Sequence, residues 1–140
     1  MNQRYLIDTD ILIDFFKARY SLDRKFKSVG LQNCFVSEIS IAELTYGAFK
    51  SSNIKKQMAN VEKIKTHFQI VPISSVIERY SRERLRLEKL GQRLPDFDLL
   101  IAATAVENGL TLVTGNENHH RRVQNIVVEN WRTTNHNEFL

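Results

Sequence analysis

The stretch that decides the fold is PDFDLLIAATAVENGLTLVT, residues 95–114. Positions 99–106 are almost wholly apolar and Gly109 stands where a C-terminal cap belongs, which predicts a helix with Asp96 as its N-cap. A helix that is apolar on every side is buried on every side. The apolar and β-branched run at 110–114 follows at once and predicts a strand. A buried helix that leads directly into a strand is typical of α/β proteins.

The same alternation runs through the rest of the chain. Short apolar runs predict further strands at 5–7, 34–36, 70–73 and 126–128, and the segments between them predict helices at 11–16, 21–28, from Ser40 onward, at 54–68 and at 75–90. Pro72 suggests that its strand ends there or lies at a sheet edge. Because strands that alternate with helices are joined by right-handed crossovers, we predict a three-layer α/β/α fold. We expect a mostly parallel sheet of four to five strands, in a single domain over residues 1–140.

Composition narrows the class of protein. The chain has 140 residues and a net charge of +4, with a pI near 9.3, which favours anionic partners only mildly. Cys34 is the lone cysteine, so no intrachain disulfide can form, as is usual in a reducing cytosol. No stretch approaches the roughly 18 apolar residues of a membrane span, and too few residues precede Asp8 for a signal peptide. We expect a soluble cytoplasmic protein with no membrane partner.

Acidic residues stand where predicted strands end and helices begin. Asp8 follows the first strand, while Glu43 and Asp98 are predicted in the first turns of the helices after the second strand and before the fourth. Ligands of parallel sheets bind beyond the carboxyl ends of the strands, so the three can converge. Two charges about 4 Å apart repel by about 4 kcal/mol at an effective dielectric near 20, and a hard cation offsets this repulsion. Oxygen ligands select Mg²⁺ or Mn²⁺, whose bound water can hydrolyse a phosphodiester.

Each carboxylate also has a purely structural interpretation. Ser40 and Glu43 form a Ser-x-x-Glu pattern, which is typical of a capping box. A helix dipole stabilises a carboxylate such as Asp98 in the first turn by about 0.3–1 kcal/mol. Asp8 is harder to explain in this way, because a charge that ends a buried strand needs a partner. Two further aspartates, at 10 and 14, can cap and solvate the following helix. Spacing alone leaves both interpretations open.

Taken together, these stretches resemble a PIN domain. LIDTDILI at 6–13 looks like its opening, SIAELTYG at 40–47 resembles its second acidic motif, and PDFDLLIAATA at 95–105 closely matches its third. The ending, with LVTGN at 112–116 and VVENW at 127–131, is also similar. Order, spacing and length resemble the VapC type of toxin in bacterial toxin–antitoxin pairs, over nearly the full chain.

The resemblance implies an endoribonuclease that uses Mg²⁺ or Mn²⁺, with Asp8, Glu43 and Asp98 as its metal-binding acids. It also implies homodimers, structured RNA substrates such as transfer or ribosomal RNA, and inhibition by a cognate antitoxin whose tail occupies the active-site groove. The family often has a further acid after the fourth strand, where this chain has Asn116 followed by Glu117. Asn116 could ligate through its amide oxygen or orient a metal-bound water.

Basic side chains supply candidate RNA contacts. Five cations recur at intervals of three and four on one predicted helix: Arg79, Arg82, Arg86, Lys89 and Arg93. This stripe is either a phosphate-binding ridge or a solvated face with ion pairs to neighbouring glutamates. Arg121 and Arg122 lie closer to the expected site, just past the fourth strand, and together with Arg86 they are the predicted RNA-binding residues.

The histidines suggest alternatives to the metal mechanism. His119 and His120 are adjacent, a poor spacing for one metal, and His67, His136 and Cys34 lie elsewhere, which disfavours a zinc site. A surface or RNA-contact role is favoured for the pair, although either could act as acid or base in a metal-free ribonuclease. A further alternative is a non-catalytic RNA-binding module.

Overall fold

The structure is a computed structural model and describes residues 3–132. Along the chain its elements are β1 (Tyr5–Ile7), α1 (Thr9–Phe16), α2 (Leu22–Val29), a 3-10 turn (Leu31–Asn33), β2 (Cys34–Ser37), α3 (Glu38–Lys50), α4 (Ile54–His67), β3 (Gln69–Val71), α5 (Ile77–Lys89), α6 (Asp96–Glu107), β4 (Thr111–Val113), α7 (Glu117–His120) and β5 (Val128–Glu129).

The five strands form one sheet in the order β3-β2-β1-β4-β5, and every neighbouring pair is parallel. β1 is therefore central and is flanked by β2 and β4. Ile7 pairs with Val113, so β1 and β4 end at the same level of the sheet. This confirms the predicted parallel sheet, and it sets the residues after β1 and β4 side by side.

The core lies on both faces of this sheet. Leu6 and Leu112 face a cluster built with α5 and α6, whereas Tyr5, Ile7 and Val113 face a second cluster built with α1, α2 and α4. Neighbouring positions of a strand point to opposite faces, so strands with helices on both sides must be apolar throughout. The predicted three-layer α/β/α architecture is confirmed.

The start of α3 differs from the prediction. The helix begins at Glu38, and Ser37 is its N-cap, whose side chain accepts a hydrogen bond from Ile39 N–H (3.0 Å). The expectation that Ser40 opens the helix is wrong, and so is the capping-box interpretation. Because the helix starts earlier, Glu43 lies in its second turn, where its side chain is free for another role.

The start of α6 also differs. Asp96 is the first residue of the helix, and Pro95, with an extended ψ of 145°, occupies the N-cap position. The Asp96 carboxylate accepts a hydrogen bond from the Tyr80 hydroxyl (3.1 Å) and does not cap the helix. The predicted N-cap is therefore wrong by one residue.

Two strands are shifted relative to their predictions. β5 begins later than the predicted 126–128, because Ile126 N–H donates to the Val123 carbonyl (3.4 Å) in a turn. β3 ends before Pro72 and lies at a sheet edge, as that proline suggested.

A buried carboxylate ties α5 to the segment that follows α7. Glu83 is buried and accepts hydrogen bonds from the Arg86 guanidinium (2.6 and 2.9 Å) and from the backbone N–H of Gln124 (2.5 Å). The Arg86 hydrogen bonds lower the pKa of Glu83 despite the opposing effect of burial, and the Gln124 N–H adds to the lowering.

We predict that Glu83→Gln destabilises the protein by about 1.5–3 kcal/mol at pH 7, the range for hydrogen bonds to a charged group. The folded pKa of Glu83 lies below the unfolded value of about 4.3, so the stabilisation is complete above that pH and disappears as pH falls through the folded pKa. Urea denaturation at pH 7 and pH 3 measures this difference. The matched control is Glu78→Gln, because Glu78 pairs with Arg82 on the exposed face of the same helix. An equal loss for both variants would contradict the prediction.

Candidate active site

A pocket of about 280 Å³ opens at the carboxyl ends of β1 and β4. Eight residues line it: Asp8, Thr9, Asp10, Ile13, Glu43, Asp98, Asn116 and His120. The structure thus brings together the four residues that the sequence nominated, from the end of β1, α3, α6 and the turn after β4. It adds Asp10, which the sequence assigned to capping, and His120, which the sequence considered as a site residue only for the alternative metal-free mechanism.

Asp8 is fixed by several donors at the centre of the pocket wall. One carboxylate oxygen caps α1 by accepting from Thr9 N–H (2.8 Å). The other accepts from the Thr114 hydroxyl (2.9 Å) and lies 3.3 Å from His120 Nε2. Asp8 is only 6% exposed, so its orientation is set before any ligand binds.

Glu43 reaches the pocket from the second turn of α3. Its Oε1 accepts from the Thr9 hydroxyl (2.7 Å), which also lies within hydrogen-bonding distance of Ser40 Oγ (2.8 Å). Burial raises the pKa of Glu43, the Thr9 hydrogen bond opposes this, and the charges of Asp8 and Asp98 raise it further. The carboxylate is therefore held in place while its charge is poorly compensated.

Asp98 lies in the first turn of α6, as predicted. Burial and the negative charge of Asp8 raise the pKa of Asp98, while His120 and His119 oppose the rise. His119 Nε2 is 3.8 Å from the Asp98 carboxylate. The negative charge of Asp98, like that of Glu43, is therefore only partly compensated by the surrounding residues.

Asp10 is the carboxylate that the sequence interpretation assigned to capping. The N-cap of α1 is Asp8, and Asp10 instead lines the pocket, where its Oδ2 accepts from Gly115 N–H (3.0 Å). Burial and the charge of Asp8 raise the pKa of Asp10 to about 6, although Gly115 and Arg132 oppose the rise. A second aspartate two residues after a strand-end aspartate was the available signal for this residue.

His120 is buried, at 1% exposure, so the surface role favoured for it is wrong; His119 remains partly exposed. α7 turns one of the two adjacent rings inward against Asp8. Burial disfavours the charged ring, but the hydrogen bond and charge of Asp8, with the charges of Asp98 and Asp10, outweigh it and raise the pKa of His120. His120 is therefore a hydrogen-bonding partner of Asp8, whose charge favours the protonated imidazole.

The donor set fits a hard divalent cation. Within residues 3–132 no three or more His, Cys, Asp or Glu side chains are already closed around one point. Mg²⁺ does not need such a cage, because it keeps several waters and uses one or two carboxylates with substrate phosphate. Burial is the main cause of the raised pKa values of Glu43, Asp98 and Asp10, and the charge of Asp8 adds to it; a cation in the pocket would compensate these buried negative charges. His67 is not among the lining residues, and His136 lies outside the described part of the chain.

The predicted RNA-binding arginines lie together, outside this pocket. Arg86, Arg121 and Arg122 line one surface depression beyond α7. Arg86 is bound to Glu83 and donates to the Arg122 carbonyl (2.8 Å), and Arg121 pairs with Glu117 (2.8 Å). Glu117 therefore faces Arg121 and does not line the pocket. The RNA-binding role of the three arginines stays a prediction.

The basic stripe on α5 is largely ion-paired. A cavity of about 460 Å³ lies between α5, α6 and the segment after α7. Its charged lining residues pair with one another: Arg79 with Glu107, Arg82 with Glu78 and Arg86 with Glu83. Arg93 pairs with Asp96 and Glu88. This arrangement is typical of a solvated, ion-paired face.

The comparison with known families agrees with the fold and the pocket. A model of the PIN domain matches residues 5–125. The chain belongs to the PIN-domain family. Ribonuclease VapC2 of Rickettsia felis is 30% identical over 132 residues, 91% of this chain and 97% of the relative. The tRNA(fMet)-specific endonuclease VapC of Shigella flexneri is 26% identical over 129 residues, 91% and 98% of the two chains.

A solved structure extends this similarity to the whole PIN fold. In the crystal structure of VapBC2 from Rickettsia felis bound to a DNA fragment from the promoter, one chain superposes with a TM-score of 0.84 at 28% identity. The match covers 92% of this chain and 99% of that one. The resemblance to the VapC type is thereby confirmed. No helix within residues 3–132 has the length and apolar character needed to cross a membrane.

We predict that Asp98→Asn stabilises the metal-free PIN domain at pH 7, because it removes a carboxylate whose charge is disfavoured by burial and by repulsion from Asp8. The expected gain in Tm is about 2–4 °C, the shift that about 1 kcal/mol produces in a chain of this size. A raised carboxyl pKa penalises folding above the folded pKa, so the gain should shrink as pH falls through that value.

Thermal unfolding in EDTA, followed by circular dichroism at pH 7 and pH 4, measures this effect. Asp96→Asn is the matched control, because Asp96 occupies the same helical turn but pairs with Arg84 and Arg93. A lower Tm for Asp98→Asn at pH 7 would show that the carboxylates are not in repulsion.

Proposed function

We propose that this protein is a magnesium-dependent endoribonuclease and the toxin of a toxin–antitoxin pair, acting in the cytoplasm. The observation that carries the proposal is the single pocket that holds Asp8, Glu43 and Asp98 at the carboxyl ends of parallel strands. The names of the VapC relatives, a ribonuclease and a tRNA endonuclease, support the same reaction class. We expect Mn²⁺ to support the same reaction in place of Mg²⁺.

In this proposal, Asp8, Glu43 and Asp98 hold the cation. When bound, it lowers the pKa of a water molecule and stabilises charge on the scissile phosphate. Asp8 is oriented by the Thr9 N–H and the Thr114 hydroxyl, and Glu43 by the Thr9 hydroxyl. Thr9 thus fixes two of the three acids, which reduces the reorganisation needed when substrate arrives.

Asn116 is linked to Asp8 through the Thr114 hydroxyl. Its backbone N–H donates to the Thr114 hydroxyl oxygen (3.1 Å), and that hydroxyl donates to Asp8 (2.9 Å). The turn after β4 is thereby tied to the central carboxylate, and Asn116 lines the pocket. We assign its amide the role of orienting water or phosphate, since an amide can both donate and accept.

We predict that the protein cleaves RNA with Mg²⁺ and that EDTA abolishes the cleavage. Asp8→Asn and Asp98→Asn should each lower kcat/KM by at least about 100-fold, because each removes a preorganised charge from the site. Asp96→Asn is the control and should cleave like the wild type, since its carboxylate lies outside the pocket lining. Denaturing gels and analysis of the product ends follow the reaction, with 5′-phosphate ends expected.

Other outcomes would replace this mechanism. Cleavage that resists EDTA and leaves a cyclic phosphate would favour metal-free catalysis by His119 or His120. RNA binding without turnover, even with added Mn²⁺, would favour the non-catalytic module.

The depression lined by Arg86, Arg121 and Arg122 is the proposed contact for the RNA backbone. α7 connects Asn116, in the pocket, to Arg121, so a strand that enters the pocket passes close to these cations. Because phosphate contacts are sequence-independent, they suit a structured RNA such as a transfer RNA, which the Shigella relative's name specifies for that protein.

An apolar groove supports the proposed antitoxin partner. The groove, of about 370 Å³, lies between α1, α3 and α4, and Ile13 and Glu43 line both it and the acidic pocket. Tyr46 and Phe49 on α3 do not line the groove, but they are exposed by 68% and 63% and add apolar surface to the same helix. A peptide tail in the groove would reach the carboxylates directly. We also propose a homodimer, as the family resemblance implies.

We predict that Gly47→Arg abolishes antitoxin binding while RNA cleavage is retained. Gly47 lines the groove on α3, and an added Cβ would meet no atom within 4 Å, so a side chain there fills the groove without disturbing the fold. Gly47→Ala is the matched control; it should bind normally and stabilise α3 by about 1 kcal/mol.

Co-purification with the product of a short reading frame adjacent to the gene, the expected location of an antitoxin, measures binding, and recovery from growth arrest reports inhibition. Normal binding by Gly47→Arg would place the antitoxin elsewhere.

A further inference from the structure

Arg132, which follows β5, reaches back to α1 and lies between two of its carboxylates. Its Nε donates to Asp14 Oδ2 (2.6 Å), and its Nη2 is 3.5 Å from Asp10 Oδ2. Asp14 is buried, at 3% exposure, and the guanidinium lies 6.0 Å from the centre of the Tyr20 ring. The arginine is therefore a built-in partner of both aspartates.

Gly115 provides the space that Arg132 occupies. A Cβ placed on Gly115 would overlap the Arg132 guanidinium. The φ of Gly115 is not in the left-handed region, so the glycine is needed here for space and not for its backbone conformation. Its N–H also donates to Asp10 Oδ2 (3.0 Å). The turn after β4 and the end of the described chain thus meet at the same aspartate.

The two oxygens of Asp10 have different environments. Oδ2 accepts from Gly115 and faces Arg132, whereas Oδ1 is buried and has no hydrogen-bond partner among the described residues. The side chain lines the pocket of Asp8, Glu43 and Asp98. A carboxylate with a buried, unpartnered oxygen is costly to keep charged, so a cation bound in the pocket that Asp10 lines would stabilise that charge.

We propose that Asp10 is a fourth cation-binding carboxylate of this pocket and that Arg132 is the residue that positions it. The inference rests on the proposed function, since it assumes that the pocket binds a divalent cation. Arg132 and Gly115 both contact Oδ2 of Asp10, so together they fix the orientation of the carboxylate at the pocket wall.

The planar fork of Arg132 suits this role. One guanidinium spans Asp14 and Asp10 with different nitrogens, which a lysine ammonium cannot reproduce with the same geometry. Asp10 and Asp14 are four residues apart on α1 and therefore share one face of the helix. Fixing that face fixes the direction of the Asp10 carboxylate.

The test measures Mn²⁺ binding to the full-length protein by electron paramagnetic resonance of the free ion, without RNA. Asp10→Asn is expected to weaken binding by 10- to 100-fold and Arg132→Met by about tenfold, the range for residues that support a metal site. Arg132→Lys should recover only part of the loss. Gly115→Ala keeps the charge but displaces the guanidinium, so it should resemble Arg132→Met.

Arg19→Met is the matched control, because Arg19 pairs with Asp14 (3.5 Å) from an exposed position and makes no recorded contact with Asp10. It should bind Mn²⁺ within about twofold of the wild type, as expected for a surface pair. In cleavage assays, Arg132→Met should need about tenfold more Mg²⁺ for half-activation, with kcat at saturating Mg²⁺ changed little. A general structural defect would lower kcat as well.

The outcomes separate this inference from the proposed function. If the wild type does not bind Mn²⁺, the proposed function fails and this inference fails with it. If the wild type binds while Asp10→Asn is unchanged, only the role of Asp10 is overturned. If Asp10→Asn is weakened while Gly115→Ala and Arg132→Met match Arg19→Met, the positioning role of Arg132 is overturned. Should Arg132→Met not fold, Gly115→Ala decides the same point.

Discussion

The carboxylate of Asp8 has three structural tasks at once, and the site is arranged around it. It follows the last residue of the central strand, caps α1 and accepts a hydrogen bond from Thr114 beyond β4. A buried charge of this kind is tolerated because its oxygens are satisfied by fixed donors. The parallel pairing of β1 with β4 supplies the Thr114 donor, so the sheet order and the site geometry depend on each other.

Asp8 repels the neighbouring pocket carboxylates, and this repulsion destabilises the folded protein. Glu43, Asp98 and Asp10 all have raised pKa values, with burial as the largest cause and the charge of Asp8 as a further one. Their partners are mainly neutral or partial: a hydroxyl, two imidazoles, a backbone N–H and one shared arginine. Such a group of poorly compensated acids lowers the stability of the metal-free protein, and under the proposed function it would favour the binding of a hard cation. This trade of stability for function is common in active sites.

The features that depend on local sequence pattern could be predicted from the sequence. Alternating elements gave the parallel three-layer fold, and the strand-end rule placed Asp8 and Asp98 in one pocket. Sequence reasoning nominated Glu43 correctly but placed it in the first turn of α3, whereas Ser37 caps the helix three residues before the expected Ser40 and moves the glutamate into the second turn. It did not find Arg132, which meets Asp14 across 118 residues of chain. A contact of that range leaves no periodic or spacing signal in a single sequence, and only the packed structure reveals it.

The short helix α1 explains how these parts act on one another. Residues four apart share a helical face, so Asp10 and Asp14 meet the arginine that ends the described chain, while Thr9 and Ile13 face Glu43 and the apolar groove. One element of eight residues therefore borders the acidic pocket, the groove and the C-terminal segment. A peptide bound in the groove would press on the helix that carries Asp10 and is capped by Asp8, and Ile13 would bring it to the edge of the pocket. Under the proposed function, inhibition by such a peptide would need no long-range conformational change, because the groove and the pocket share Ile13 and Glu43.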